Sequence, residues 1–138
     1  MNISVSELMW LAGYLEGEGC FRLSVGGVRP GSMRTLGPTG TPSIKVVATD
    51  EDVVCRAAGV MGCQARERSR RTVIGKRVFA AEIHGGRALE LMQALLPHMG
   101  ARRSQKISEI IALASARPGH AKGEDYRNSK LDRTKVLT

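Results

Sequence analysis

Near the start of the chain, the residues best suited to chemistry are two carboxylates separated by a single glycine, Glu16 and Glu18. Glycine often ends a helix, so Gly17 and Gly19 predict that both acids lie at a helix terminus. Carboxylate oxygens are the ligands that hard cations such as Mg²⁺ prefer. An ordinary helix that ends in a glycine-rich turn would leave the same carboxylates solvated, and the spacing alone does not decide between the two interpretations.

The residues before these acids predict the helix that positions them. Apolar residues recur at three- and four-residue spacing and form a stripe, which comprises Leu8, Leu11, Ala12 and Leu15. We expect the helix to run from Val5 onward, with Ser6 as its cap. Gly13 and Gly17 stand four residues apart on an adjacent face, and each is about 1 kcal/mol less favourable in a helix than alanine. A helix that keeps both is expected to contact another helix closely there.

The stretch from Leu11 to Gly19, LAGYLEGEG, resembles the LAGLIDADG motif of homing endonucleases. It has the Leu-Ala-Gly opening, the two acids two residues apart and the alternating glycines. In that family two such helices pack side by side at the centre of a DNA-binding saddle, and each delivers its last acid to a metal-dependent site. The resemblance therefore implies that Glu18 is catalytic and binds metal, with the Gly17 carbonyl as a further ligand. Aspartate is commoner than glutamate at this position of the family.

The motif occurs once in the sequence. Family members with a single motif act as homodimers, so the resemblance implies a homodimer whose interface contains Leu11, Ala12, Gly13 and Gly17. Glu18 would then meet its symmetry mate near the two-fold axis. The implied cofactor is Mg²⁺ or Mn²⁺, and a pair of ions about 4 Å apart would clamp the attacking and leaving oxygens of the phosphate.

The rest of the chain predicts an alternation of short elements. The first half is predicted as strands 20–25 and 43–48 around a loop 26–41, then a helix that begins at the capping and acidic stretch 49–52 and is ended by Gly62. The second half is predicted as strands 63–70 and 76–84 around a loop 71–75, a helix from 85 broken near Pro97, a polar turn 100–104 and a last helix ended at Pro118. This is the α+β order αββαββαα of the LAGLIDADG endonuclease fold, with its curved four-stranded antiparallel DNA-binding sheet. We expect residues 1–117 to form one domain and residues 118–138 a basic, flexible tail.

Polar side chains at every second strand position predict a surface that binds double-stranded DNA, since a two-stranded ribbon fits the major groove. The predicted contacts are Arg22, Ser24, Lys45, Gln64, Arg66, Arg68 and Arg70 on the strands, with Arg29 and Arg34 in the long loop. The formal charge of +8 favours a polyanionic partner. A ribosomal or membrane-surface protein would share that charge, and an exposed, solvated strand face would share the alternation.

Around the proposed metal site the family places a basic residue before the last helix, and alignment from Pro97 assigns that role to Arg102. Gln105 matches a recurrent polar position at the start of that helix. Glu16 is expected in the second shell or beside the helix end. At the end of the second strand the family often has a polar side chain that organises solvent, whereas this sequence has Val47. Lys45 or Thr49 would compensate in a shifted register.

Other chemistries have little support in the sequence. Three cysteines, Cys20, Cys55 and Cys63, have neither paired CxxC spacing nor an even number, which argues against a zinc site or a disulfide framework. The histidines are not clustered as a histidine-metal nuclease requires. No apolar run reaches membrane-spanning length, so we expect no membrane partner and an intracellular protein, cytoplasmic for a prokaryotic or phage gene or else organellar.

Two functions fit these observations. The first is a homodimeric homing endonuclease, associated with intron or intein mobility, that makes metal-dependent double-strand breaks in a long pseudo-palindromic DNA site. The second is a protein of the same fold that binds without cutting, as a DNA-binding regulator or an RNA maturase. Glu18 favours the first, because a pure binder has no need for carboxylates brought together against a phosphate backbone.

Overall fold

The chain folds into a four-stranded antiparallel sheet with helices on its apolar face. The computed structural model describes residues 2–25 and 40–115. The elements in chain order are α1 (Val5–Glu18), β1 (Gly19–Val25), β2 (Gly40–Ala48), α2 (Glu51–Met61), β3 (Arg66–Glu67), β4 (Phe79–His84), α3 (Gly86–Leu95), a 3₁₀ turn (Leu96–His98) and α4 (Ala101–Ser115). The predicted α+β class and element order are confirmed. Arg29, Arg34 and the predicted tail 118–138 lie outside the described residues.

Ser4, and not Ser6, caps helix α1. The Ser4 hydroxyl accepts a hydrogen bond from the Glu7 N–H at 3.1 Å, and the Glu7 carboxylate accepts one from the Ser4 N–H at 3.4 Å. This reciprocal pair is a capping box, the Ser-x-x-Glu signature of a helix start. The predicted cap at Ser6 is wrong because that residue already lies in the first helical turn and itself carries one of the free N–H groups.

The sheet has the strand order β1-β2-β4-β3 and is antiparallel throughout. Strand β2 begins at Gly40, earlier than the predicted start at residue 43. Alternate residues of the strands face the helices and are buried, as the period of two predicts. These residues are Phe21, Ile44, Val46, Phe79, Ala81 and Ile83. The opposite face of the sheet carries the polar members of the alternation.

One hydrophobic core joins the sheet to all four helices. The helices contribute their apolar stripes, and the fully buried large residues among them include Leu11, Leu15, Met61, Leu91, Met92, Leu95 and Ile107. Fully burying one such side chain contributes about 1.5–3 kcal/mol relative to leaving it exposed. Within residues 2–25 and 40–115, no helix is long and apolar enough to cross a membrane.

The third strand is much shorter than the predicted strand 63–70. Strand β3 contains only Arg66 and Glu67, which pair with Ala80 and Phe79. Backbone pairing nevertheless continues along the hairpin, since the Arg68 N–H donates to the Val78 carbonyl at 2.7 Å and the Thr72 N–H donates to the Lys76 carbonyl at 3.0 Å. The alternation of residues 63–70 therefore predicted the hairpin correctly. It did not predict that only two residues of this edge strand keep regular strand geometry.

The stretch predicted as a polar turn, 100–104, is mostly helical. Helix α4 begins at Ala101, and the Ser104 N–H donates to the Gly100 carbonyl at 2.8 Å to form its first turn. Polar residues are common both in the first turn of a helix and in loops, so polarity does not distinguish the two. In contrast, Gly62 ends α2 as predicted, with a left-handed φ of 79°.

The capping box provides a test of the helix start. Ser4→Ala removes the hydroxyl that accepts from the Glu7 N–H, so we expect the free energy of unfolding to fall by about 1 kcal/mol. Ser6→Ala changes an exposed residue inside the same helix and serves as the matched control, with an effect within about 0.5 kcal/mol. Urea denaturation monitored by circular dichroism measures both. A larger loss in the Ser6 variant than in the Ser4 variant would contradict the observed cap.

Candidate active site and nucleic-acid interface

Glu18 is the last residue of α1, and its side chain is exposed. The next residue, Gly19, is extended with φ −77° and ψ 149°, and its N–H donates to the Leu15 carbonyl. A Cβ at Gly19 would lie 2.7 Å from that carbonyl oxygen, so only glycine fits without a backbone shift. The helix thus becomes strand β1 without an intervening loop, and the Glu18 carboxylate is fixed at one end of the sheet.

An open ridge runs along the exposed side of α1. Gly13 and Gly17 are exposed, and a Cβ built on either would have no heavy atom within 4 Å. Val5 and Met9, which precede them at four-residue spacing, are 74% and 52% exposed. Residues four apart lie on one helix face. The chain therefore presents two apolar side chains followed by two glycines to whatever approaches this face.

Two of the four predicted interface residues do not belong to this ridge. Leu11 and Ala12 are 0% and 3% exposed because they pack in the chain's own core. Their side chains cannot reach a second subunit, so the prediction of an interface is corrected for both. For Gly13 and Gly17 the interface stays a prediction, since their backbone is open to close approach by another helix.

The face of the sheet opposite the core carries most of the predicted DNA-contacting strand residues. Directly paired residues of neighbouring strands point to the same face. The cross-strand rows of this face are Arg22–Ser43–His84, Cys20–Lys45–Glu82 and Val47–Ala80–Arg66. Ser24 occupies the register position opposite Thr41. The structure thus brings Arg22, Lys45 and Arg66 to one surface, and their contact with DNA stays a prediction.

Two residues of this face, Glu82 and His84, were missed by sequence reasoning. They lie in a shallow groove that is lined by Cys63, Gln64, Arg66, Ala80, Glu82 and His84. His84 Nε2 is 3.7 Å from Glu82 Oε1. The strand alternation already implied their orientation, but an acid does not stand out on a surface expected to bind a polyanion. A carboxylate there can accept a hydrogen bond from the cytosine amino group in a major groove, so the groove offers both donors and acceptors.

The remaining predicted contacts lie along the hairpin beyond β3. Arg68 and Arg70 are exposed. Between them and the sheet, Glu67 and Arg77 form an exposed two-pronged ion pair, with distances of 2.7 Å and 3.1 Å. The hydrogen bond from Arg77 lowers the pKa of Glu67 below its ordinary value, and the same bond raises the pKa of Arg77. This pair joins the two arms of the hairpin across the strand edge.

Arg102 and Gln105 are exposed at the start of α4, whereas the neighbouring Arg103 contacts the end of α1. Arg103 Nη1 donates to the Gly19 carbonyl at 2.6 Å, and Nη2 donates to the Glu16 carbonyl at 3.3 Å. Sequence reasoning missed Arg103 because no local pattern reports a contact 84 residues away.

The carboxylate of Glu16 accepts a hydrogen bond from the Gly100 N–H at 3.1 Å. It therefore flanks the start of α4, which is one of the two positions expected for it, and its role in the second shell of a metal stays a prediction. Residues two apart on a helix point in different directions, which separates Glu16 from Glu18.

Val47 is half-buried on the polar face, beside Ala80. The register does not shift Lys45 or Thr49 into its place: Lys45 pairs with Glu82 and Thr49 is exposed beyond the strand end. The row nearest to Glu18 therefore carries two apolar side chains, and the polar group that the resemblance implies is not provided by Val47.

Aromatic residues line the side of α1 that faces α2. Trp10 and Tyr14 stack with ring centroids 5.4 Å apart, and the Arg56 guanidinium lies 4.0 Å from the Trp10 ring centroid. Partial burial raises the pKa of Tyr14, and the negative charges of Glu18 and Asp50 raise it further. Asp50 precedes α2 and makes no side-chain capping bond. Tyr14 therefore keeps its proton in a region with two carboxylates.

The donor chemistry of Glu18 fits a hard divalent cation. Mg²⁺ is commonly held by one or two carboxylates together with waters and phosphate oxygens. In residues 2–25 and 40–115, no three His, Cys, Asp or Glu side chains come together as a metal cage. Among these residues Glu18 therefore has no two acidic, histidine or cysteine neighbours that would complete a metal cage with it.

The Tyr14 environment provides a test in metal-free buffer. Glu18 and Asp50 both raise the Tyr14 pKa, so Glu18→Gln and Asp50→Asn should each lower it, while burial keeps it above the ordinary value. Folding favours the protonated phenol, and the stability that this contributes is present at neutral pH and lost as the pH rises through the Tyr14 pKa. Tyrosinate absorbance measures the titration, with Tyr14→Phe to assign it and Asp52→Asn as the control. An unchanged pKa in both acid variants would contradict the arrangement.

No protein-family model and no curated protein matches the chain. Among solved structures, the chain is similar to the homing endonuclease I-CvuI in complex with its target Sro1.3 in the presence of 2 mM Ca, with a TM-score of 0.57, 23% identity and coverage of 78% of this chain and 64% of that chain. A complex of I-CvuI with the I-CreI target in 2 mM Mg, in which the DNA is not cleaved, has a TM-score of 0.56 at the same 23% identity and the same 78% and 64% coverage.

The group I intron-encoded homing endonuclease I-CeuI, complexed with DNA, is similar with a TM-score of 0.56, 19% identity and coverage of 81% of this chain and 53% of that chain. The chain thus spans 64% or 53% of the length of these proteins. At such identities the similarity concerns the fold alone. This chain also carries a LAGLIDADG-like sequence on its helix α1. The described part of the chain therefore has the fold of the LAGLIDADG homing endonucleases.

Proposed function

We propose that this chain is a homodimeric, site-specific DNA endonuclease that uses a divalent metal to make double-strand breaks in a long pseudo-palindromic target. The observation that carries the proposal is the position of Glu18. It is an exposed carboxylate at the end of a helix with an open glycine ridge, at the edge of a sheet face that bears Arg22, Lys45 and Arg66.

The open ridge of α1 supports the dimer. A second copy of the same helix would cover Val5 and Met9, and Gly13 and Gly17 leave room for close backbone approach. A two-fold contact uses the same patch on both subunits, so each α1 would bring its own Glu18 toward the axis. The single chain offers too few acidic groups for a metal cage within the described residues, and such a contact supplies a second carboxylate.

In the proposed reaction, Glu18 and the Gly17 carbonyl hold the metal. When bound, a divalent ion lowers the pKa of a water and stabilises charge on the phosphate. The chain's own residues would act beside it: Glu18 would hold the ion, and Arg102, exposed at the start of α4, would offer positive charge to the phosphate. A guanidinium stays protonated, so Arg102 acts in this scheme through charge and hydrogen bonds.

The polar sheet face is the proposed DNA-binding surface. Its arginines can read guanine with two hydrogen bonds, Gln64 can read adenine, and Glu82 can accept from cytosine. Arg68 and Arg70 extend the cationic surface along the hairpin. The solved proteins of similar fold were crystallised with DNA targets, which supports a duplex as the partner. We further propose an intracellular protein whose gene is associated with an intron or intein.

Val47 favours a second candidate, a binding protein that does not cut. Its apolar side chain lies on the polar face next to Ala80, where the family resemblance implies a group that organises solvent. Loss of that group would leave DNA recognition intact and weaken hydrolysis. A DNA-binding regulator or an RNA maturase on the same fold would have this property.

Glu18→Gln separates these two candidates. The change removes a charge from an exposed side chain, so folding and DNA affinity should stay close to wild type. Cleavage should fall by at least about 100-fold, because a metal ion contributes several kcal/mol of transition-state stabilisation. Duplexes selected from a random library serve as substrate, with cutting measured in Mg²⁺ and affinity measured in Ca²⁺. Glu109→Gln, an exposed acid on α4, is the control. Wild-type protein that binds selected duplexes but leaves them uncut in both Mg²⁺ and Mn²⁺ would support the binding protein instead.

Gly13→Leu tests the dimer. The single chain has open space at Gly13, and leucine is a better helix former than glycine by roughly 0.5–1 kcal/mol, so the monomer should fold at least as well. A leucine on the ridge would hold a second helix away, and we expect a monomer at micromolar concentration by sedimentation. Gly59→Leu introduces the same residue at an open helical glycine of α2 and should leave the dimer intact. A monomeric wild-type protein would contradict the proposed assembly.

A further inference from the structure

The ends of α1 and α4 each lack the charge that usually stabilises a helix terminus. The last turn of α1 contains no basic residue, and the first turn of α4 contains no acidic residue. A helix end has unpaired carbonyl or N–H groups and a partial charge, both of which favour an opposite charge nearby. The end of α1 and the start of α4 meet at the corner of the fold that contains Glu18, and each receives its missing charge from the other helix.

Arg103 of α4 supplies the positive charge at the end of α1. Its Nη1 donates to the Gly19 carbonyl at 2.6 Å and its Nη2 donates to the Glu16 carbonyl at 3.3 Å. The two acceptors flank Gly17 and Glu18 in the chain, so one rigid guanidinium spans the backbone on both sides of the carboxylate. Arg103 Nε is buried and has no hydrogen-bond partner among residues 2–25 and 40–115, which is consistent with a side chain whose orientation is set by its two terminal contacts.

Glu16 of α1 supplies the negative charge at the start of α4. Its Oε2 accepts from the Gly100 N–H at 3.1 Å. A Cβ at Gly100 would lie 2.7 Å from Glu16 Oε1, so the absence of a side chain at Gly100 lets the carboxylate approach. Ser104 completes the start of α4, since its N–H donates to the Gly100 carbonyl at 2.8 Å and its hydroxyl donates to the Met99 carbonyl at 3.0 Å.

We propose that Arg103 and Glu16 form a reciprocal clamp between α1 and α4, and that this clamp positions Glu18. Neither side chain is assigned contact with DNA or metal; both act through the backbone that carries the carboxylate. The catalytic consequence rests on the proposed endonuclease function. The expected loss of cleavage rate follows from geometry, because a misplacement of about 1 Å in a reacting group can lower a rate by about 100-fold.

Arg103→Lys is the main test, since lysine keeps the charge but not the fork that spans two carbonyls. We expect the amide of Gly19, which donates to the Leu15 carbonyl, to exchange its hydrogen about tenfold faster, as loss of a charged hydrogen bond implies. DNA affinity in Ca²⁺ should change less than about threefold, whereas kcat at saturating DNA should fall by about 10- to 100-fold. Arg87→Lys on α3, an exposed arginine away from the clamp, should leave all three quantities unchanged.

Glu16→Gln tests the other half, with Glu109→Gln as its control. The Gly100 amide should exchange faster, and kcat should fall while affinity is kept. Glu16 and Arg103 hold the same corner of the fold. The double variant Glu16→Gln/Arg103→Lys should therefore lose less in kcat than the product of the two single losses.

Hydrogen exchange on the free protein tests the clamp even if wild-type protein does not cut DNA, so the two proposals fail separately. Unchanged exchange at Gly19 in Arg103→Lys would overturn the clamp. Faster exchange with unchanged kcat in an active enzyme would overturn the positioning of Glu18. A lower unfolding midpoint with equal losses in affinity and kcat would show a packing role instead.

Discussion

The fold depends on one abrupt change, the passage from helix α1 to strand β1 at Gly19. The glycine is extended, its N–H still pairs with the Leu15 carbonyl, and no Cβ fits beside that oxygen. A loop at this point would separate the end of the helix from the start of the sheet. Because there is none, the buried stripe of α1, its open ridge and the polar sheet face keep a fixed relation, and Glu18 lies where the three meet.

The open ridge makes α1 a poor helix by composition, and tertiary packing compensates. Gly13 and Gly17 together disfavour the helix by about 2 kcal/mol relative to alanine. Burial of Leu11 and Leu15, both fully enclosed, contributes about 1.5–3 kcal/mol each, and the capping box at Ser4 contributes about 1 kcal/mol. The free energy gained from burial and capping therefore exceeds the cost of the two glycines, so the helix tolerates them on the side that faces away from the core.

The element order, the buried faces and the motif helix could be predicted from the sequence, because period and spacing record which side of an element meets the core. The local sequence was less informative at exposed segments, where residues are polar whatever the secondary structure. The helical start of α4 therefore resembled a turn, and β3 resembled a longer strand. No local pattern indicates the contacts of Arg103, since its two acceptors lie 84 and 87 residues away. Glu82 was also missed: the alternation of its strand implied which face it lies on, but not that it pairs with Lys45 across the sheet.

The contacts of Arg103 also have a consequence for the order of folding. Closing a chain segment of this length is entropically unfavourable until other long-range contacts have formed. The N-terminal helix can form early, from its own cap and apolar stripe, but its carboxyl end is held only after α4 has been synthesised and docked. A growing chain that ends before Arg103 lacks both of these hydrogen bonds to the end of α1.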